Sequence, residues 1–203
     1  MPILGEPLID QLLLQQDKEF EENFESPNES LDSTIASTPE PDLMLAGLEM
    51  LHSSDPRRRI LGIRLAKEVK HFETLVAGEL NNLLRREHNE DVICWIVDAF
   101  GVIKSELATE QLLKLASHSD PVIRFHVCAA LANHGSFLLP QASIDTLTSL
   151  TSDADSEVRY SAVFRLGVWW RGDRDPDIEA VLRRVAESDT AAEVVTAARD
   201  ALG

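Results

Sequence analysis

The strongest constraint on this chain is that it repeats itself. Beyond Pro41, the segments SSDPRRRILGIRLAK, EHNEDVICWIVDAFG, SHSDPVIRFHVCAALA, SDADSEVRYSAVFRLG and SDTAAEVVTAARDALG align with one another. The alignment places Arg59, Ile93, Arg124, Arg159 and Val195 at equivalent positions, 34, 31, 35 and 36 residues apart. A period of that length is one helical hairpin, and a unit of that size cannot bury its apolar face alone, so neighbouring copies must pack together.

Each copy carries the same local signals. Asp55 before Pro56 and Asp120 before Pro121 read as an N-cap followed by proline at the first helical position, where the missing N–H costs nothing. Val158, Ala162 and Leu166 recur every four residues, as do Ile123, Val127 and Leu131, so each set lines one face of a helix. A second amphipathic run precedes each of these helices: 43–51, 75–84, 112–115, 144–150 and 178–185. The last starts at Asp175, Pro176, Asp177 and Glu179, with acids at the positive end of the helix dipole. Short connections imply antiparallel neighbours. The expected fold is all-α, an α-solenoid with a right-handed superhelix of about five hairpins over residues 42–203. Its final repeat, closing on Leu202 and Gly203, would supply its own cover.

The residues before the repeats differ in kind. Residues 1–42 hold eleven acids against the single Lys18, a net of −10 out of −16 for the whole chain. Within residues 1–16, Leu8, Ile9, Leu12 and Leu13 have helical spacing, and a helix so short must dock to persist. It either covers the exposed end of the first repeat or offers a linear motif to a partner. Residues 17–41, acidic and rich in Ser and Pro without periodic apolar positions, read as a flexible arm, either a passive linker or a lure for a basic partner.

At SHSDPVIRFHVCAALA and SDADSEVRYSAVFRLG the sequence resembles bacterial HEAT-like repeats, including the type first named for phycobilisome lyases, with a pattern close to Asp-Pro-x-Val-Arg-x-x-Ala-x-x-Ala-Leu-Gly. The resemblance covers roughly residues 43–203, best in the third and fourth copies, and the fifth has Val195 in place of the arginine. It implies a ladder of loop Asp and helix Arg between adjacent repeats, with Asp55 and Arg59, Asp120 and Arg124, and Asp155 and Arg159 at the matching positions. Asn89 and Ile93 would interrupt it. It also leaves open a chromophore lyase that acts on a bilin, although fold alone does not specify function.

The chemistry of other classes is missing from the pattern. Neither a G-x-S-x-G elbow, a P-loop nor a dinucleotide fingerprint occurs. A chain of net charge −16 lacks the basic clusters that bind phosphate backbones, which disfavours nucleic acid and favours a basic partner. Cys94 and Cys128 fall inside apolar helical runs and read as buried thiols in a reducing, cytoplasmic setting. None of His52, His71, His88, His118, His126 and His134 is followed by Glu, so the His-Glu pairs by which one helical-repeat enzyme family binds iron are missing. No apolar run approaches the ~20 residues needed to span a bilayer. The expectation is a protein-binding module, an adaptor, regulator, inhibitor or antidote, and not an enzyme. It would need no cofactor, metal, nucleic acid or membrane.

The binding surface follows from the positions the repeat leaves open on the second helix of each hairpin. These positions include Arg64 in the first repeat, Trp95 and Asp98 in the second, Phe125 and His126 in the third, and Tyr160 and Phe164 in the fourth, with Trp169, Trp170 and Arg171 at the helix end. With only 5% aromatic residues in the chain, rings at such positions suggest a binding stripe on the concave side. The same rings could instead pack between repeats and serve only the core.

Overall fold

The computed structural model describes residues 5–21, 33, 35–103, 105–133, 141–173 and 175–203. Their regular structure is helix, with no strand among them. Helix α1 spans Glu6–Glu21, residues 33 and 35–37 are also helical, and from Glu40 onward the described residues form five hairpins. The hairpins are α2 (Glu40–Met50) with α3 (Pro56–Ala66), α4 (Glu73–Leu84) with α5 (Glu90–Val102), and α6 (Glu106–Leu115) with α7 (Pro121–Asn133). The last two are α8 (Gln141–Leu150) with α9 (Ser156–Asp173), and α10 (Pro176–Ser188) with α11 (Ala192–Leu202). This is the repeated-hairpin, all-α fold of an α-solenoid. The chain divides into two compact units, Met1–Ala99 and Phe100–Gly203.

The second helix of each of the first four hairpins starts on a side-chain cap. Asp55 accepts from the Arg57 N–H at 2.9 Å, Asn89 from Val92 at 3.0 Å, Asp120 from Val122 at 2.7 Å and Asp155 from Glu157 at 2.9 Å. Each satisfies one amide that the helix itself leaves open, a contribution of about 1 kcal/mol. The fifth has Ala191 at that place and no side-chain cap.

In the first unit, α2 and α3 cross closely enough that a Cβ on Gly62 would lie 2.7 Å from the Gly47 carbonyl oxygen. Only glycine fits there. Ile60, Leu61, Ile63 and Leu65 of α3 are buried together with Leu43, Met44, Val76 and Leu80. Helix α1 packs on α3, burying Ile9, Leu12, Leu13 and Gln16. Gln16 donates to the Arg57 carbonyl at 3.0 Å, and Arg57 and Arg58 reach back to Asp17 and Glu6 at 3.1 and 2.8 Å. The first helix is therefore a docked cover, and it continues five residues past the expected limit at residue 16. Residues 1–4 of that segment lie outside the described residues, as do 22–32 and Thr34 of the expected arm.

In the second unit the four-residue rows read from the sequence are buried: Ile123, Val127 and Leu131 on α7, and Val158, Ala162 and Leu166 on α9. The closing hairpin turns Ile178, Leu182 and Val185 of α10 and Val194, Ala198 and Ala201 of α11 inward. Its outward positions carry Asp177, Arg183, Arg184 and Glu187.

Candidate functional site

The site is built on a ladder of arginines that sets how neighbouring repeats sit. Arg59 donates to Glu87 at 2.8 and 3.1 Å, Arg124 to Asp153 at 2.8 and 2.7 Å, and Arg159 to Asp189 at 2.8 and 3.1 Å. The third guanidinium nitrogen of each turns back onto two carbonyls of its own loop: Ser53 and Ser54, His118 and Ser119, Asp153 and Ala154. This corrects the pairing that the family resemblance implied. Asp55, Asp120 and Asp155 are helix caps, and the carboxylate that meets each arginine comes from the loop of the following repeat. The planar fork of arginine, which can serve a carboxylate and carbonyls together, explains the choice of residue.

The carboxylates occupy one position in the repeat, two residues before the helix cap. Ser53, Glu87, His118, Asp153 and Asp189 stand there, and each side chain accepts the N–H of the residue two places on, at 2.9 to 3.1 Å. The second repeat has Ile93 at the arginine position and the third has His118 at the carboxylate position, so neither half of a rung is present. The rung carboxylates are shifted. The Arg124 guanidinium holds Asp153 below the ordinary value of 3.8, and Arg159 does the same for Asp189. Burial works to raise Glu87, but the Asn89 N–H, Arg59 and the His88 N–H outweigh it and leave the carboxyl below 4.5.

The second unit also carries two grooves on successive repeats. One runs between α9 and α11, a space of about 400 Å³ lined on one side by Tyr160, Phe164 and Val168 and on the other by Glu193, Thr196 and Asp200. Its depth is set by small residues: a Cβ on Gly167 would lie 2.6 Å from that of Ala201. Tyr160, Phe164 and Val168 are 37%, 46% and 53% exposed, and the Tyr160 and Phe164 rings stack with centroids 6.4 Å apart. The Arg165 guanidinium sits 5.5 Å from the centre of the Phe164 ring. Arg171 lines the same groove, but its guanidinium donates to the Asp200 and Ala201 carbonyls and so closes the last turn of α11. The second groove, about 320 Å³, lies between α7 and the start of α9, where Val122, half-buried Phe125 and His126 face Asp155 and Glu157.

The other surface positions read from the sequence fall out differently. In the first unit Trp95 is half-buried, with the Arg64 guanidinium 5.2 Å and the Lys67 ammonium 5.6 Å from its ring centre, and Asp98 is half-buried on the same helix. Trp169 is half-buried. Trp170 is 5% exposed and belongs to the core, because it continues the buried row Val158, Ala162 and Leu166 by another four residues. Val168, Glu157, Glu193, Thr196 and Asp200 were missed. Val168 follows Phe164 by four residues, and Glu193 stands where Glu157 stands one repeat earlier, so the signal was in the alignment.

Cys128 is buried, and desolvation pushes its thiol up to about 12, so it is an inert core side chain, while Cys94 is half-buried. His134 lies outside the described residues. No helix among the described residues is long and apolar enough to cross a membrane.

Comparison with curated proteins gave no match. Residues 79–167 match the family model for HEAT repeats, and the helical hairpins within that stretch resemble HEAT repeats.

Proposed function

We propose that the chain is a protein-binding module and that its contact surface in the second unit is the pair of grooves beside Phe125 and along Tyr160 and Phe164. The observation that carries this reading is the row Tyr160, Phe164 and Val168, three large apolar side chains left open to solvent along one face of α9 over a groove of about 400 Å³. Apolar side chains scattered singly on a surface need no explanation, but three in register over a concavity make an anchor site of the kind that dominates interface energetics. HEAT-like repeats commonly serve protein interaction, which supports the same reading.

The test is Phe164→Ala and Tyr160→Ala against Leu166→Ala in protein purified with its native binding partners. Exposed rings predict loss of the partner with the melting temperature nearly unchanged, while the fully buried Leu166 predicts a loss of about 2–5 kcal/mol in stability. Retention of every partner by both ring variants would refute the groove.

A further inference from the structure

From the charges around these grooves we infer the chemistry of the occupant: a basic amphipathic segment of a partner protein, its apolar side chains seated against Tyr160, Phe164 and Val168 and its Lys or Arg side chains against Glu157, Glu193 and Asp200. The inference rests on the groove reading above and adds the sign of the partner's charge.

Three features support it. Glu157 and Glu193 occupy the same position in the fourth and fifth repeats, one on the wall of each groove, so the acidic wall recurs with the repeat as the aromatic wall does. Glu193 and Asp200 lie seven residues apart on α11, two turns along one face, roughly 10 Å. The apolar row opposite, from Tyr160 to Val168, extends over roughly 12 Å. An amphipathic segment of two or three turns matches both lengths.

The second feature is that these carboxylates are not used elsewhere. Among the described residues none of the three side chains makes a hydrogen bond or an ion pair, whereas every rung carboxylate is taken up by arginine. The third is that the cations near the groove are already committed. Arg171 donates to two α11 carbonyls, Arg199 points away to the Ala186 carbonyl at 3.5 Å, and Arg165 lies over the Phe164 ring. The groove thus presents an apolar row beside an acidic row whose carboxylates are paired with none of these cations, the complement of a basic amphipathic face.

Because the whole chain carries a net charge of −16, the experiment must separate local charge from total charge. The probes are two labelled amphipathic peptides, one of leucine and lysine and one in which every lysine is glutamate, titrated by fluorescence anisotropy. The receptors are the wild type, the groove variant E193K/D200K, the milder E193Q/D200N, the equally charged control D177K/E187K on the outer face of α10, and F164A. The wild type should bind the lysine peptide at least ~10-fold more tightly than the glutamate peptide, E193K/D200K should lose that preference, and D177K/E187K should keep it. The neutral variant, which introduces no lysine at the start of α11, should fall between them. Equal losses in groove and control variants would overturn the inference by showing general attraction to an acidic protein. If charge reversal has no effect while F164A weakens binding, the basic partner is refuted and the groove stands. If F164A binds as the wild type does, the groove reading falls.

Discussion

The first and fifth hairpins cover their apolar surfaces by different means. At the first, the outer surface of α3 is apolar enough to need a separate helix: α1 lays Ile9, Leu12 and Leu13 over it and fastens itself through Gln16 and exposed ion pairs to Arg57 and Arg58. At the fifth, the cover is written into the repeat itself, because α10 and α11 bury Leu182, Val185, Val194 and Ala198 and turn charged residues outward. A repeat that is not followed by another needs a polar outer face. The first hairpin gains its cover by an added element and the fifth by patterning. The added element is held by one apolar stripe and should open more readily than an integral hairpin.

The largest expected effect tests whether the C-terminal hairpin is as integral as this comparison holds. Arg159→Ala removes the rung to the fifth repeat and leaves Asp189, whose side chain is 7% exposed, without its counter-charge. The expected loss is about 3 kcal/mol in denaturant unfolding, with hydrogen exchange accelerated through α10 and α11 together. Protection that survives in α11 would break the comparison from that side. At the other end Leu12→Ala, a fully buried position, should cost about 2 kcal/mol, at the low end for such truncations because α1 can shift to fill part of the space. Exchange should rise in α1 while α4 keeps its protection.

Acid should act on the rungs. The pKa of Asp153 and Asp189 is lowered in the folded protein, so their contribution is fully present above the ordinary value of 3.8 and is lost as pH falls through the lower folded value. Thermal melts between about pH 5 and pH 2 should show a falling midpoint, and Arg159→Ala should flatten that fall. An unchanged slope would remove the rung as its cause. The smallest effect belongs to the exposed pair of Arg58 and Glu6. Glu6→Gln should leave the midpoint within error at physiological salt, where such pairs are screened.

The repeat period, the caps at Asp55 and Asp120, and the buried rows on α7 and α9 were legible in the sequence because each is a local pattern repeated at fixed spacing. The partner of each arginine was not. Ser53, Glu87, His118, Asp153 and Asp189 differ in charge and size, so the position looks unpatterned until the shared backbone bond at the loop reveals it. The open aromatic positions were legible too, but Trp170 was read as one of them although it continues the four-residue core row of Val158, Ala162 and Leu166, and it is buried while Trp169 is half-buried.

The form of the rungs also bears on how such a chain can grow or shrink. The fourth hairpin extends an arginine toward the repeat after it and a carboxylate toward the repeat before it, so a duplicated copy would arrive with Arg159 ready for the acid that follows and Asp153 ready for the arginine that precedes. Insertion or deletion of a hairpin that carries both groups leaves no partly buried charge stranded. Loss of one half alone would strand the other, at the cost that attends an unpaired ion away from water. Ile93 and His118 are the two halves of one missing rung, and their joint departure from the pattern obeys that rule. The unit that can be exchanged without electrical penalty is therefore offset from the hairpin itself: it runs from one rung to the next.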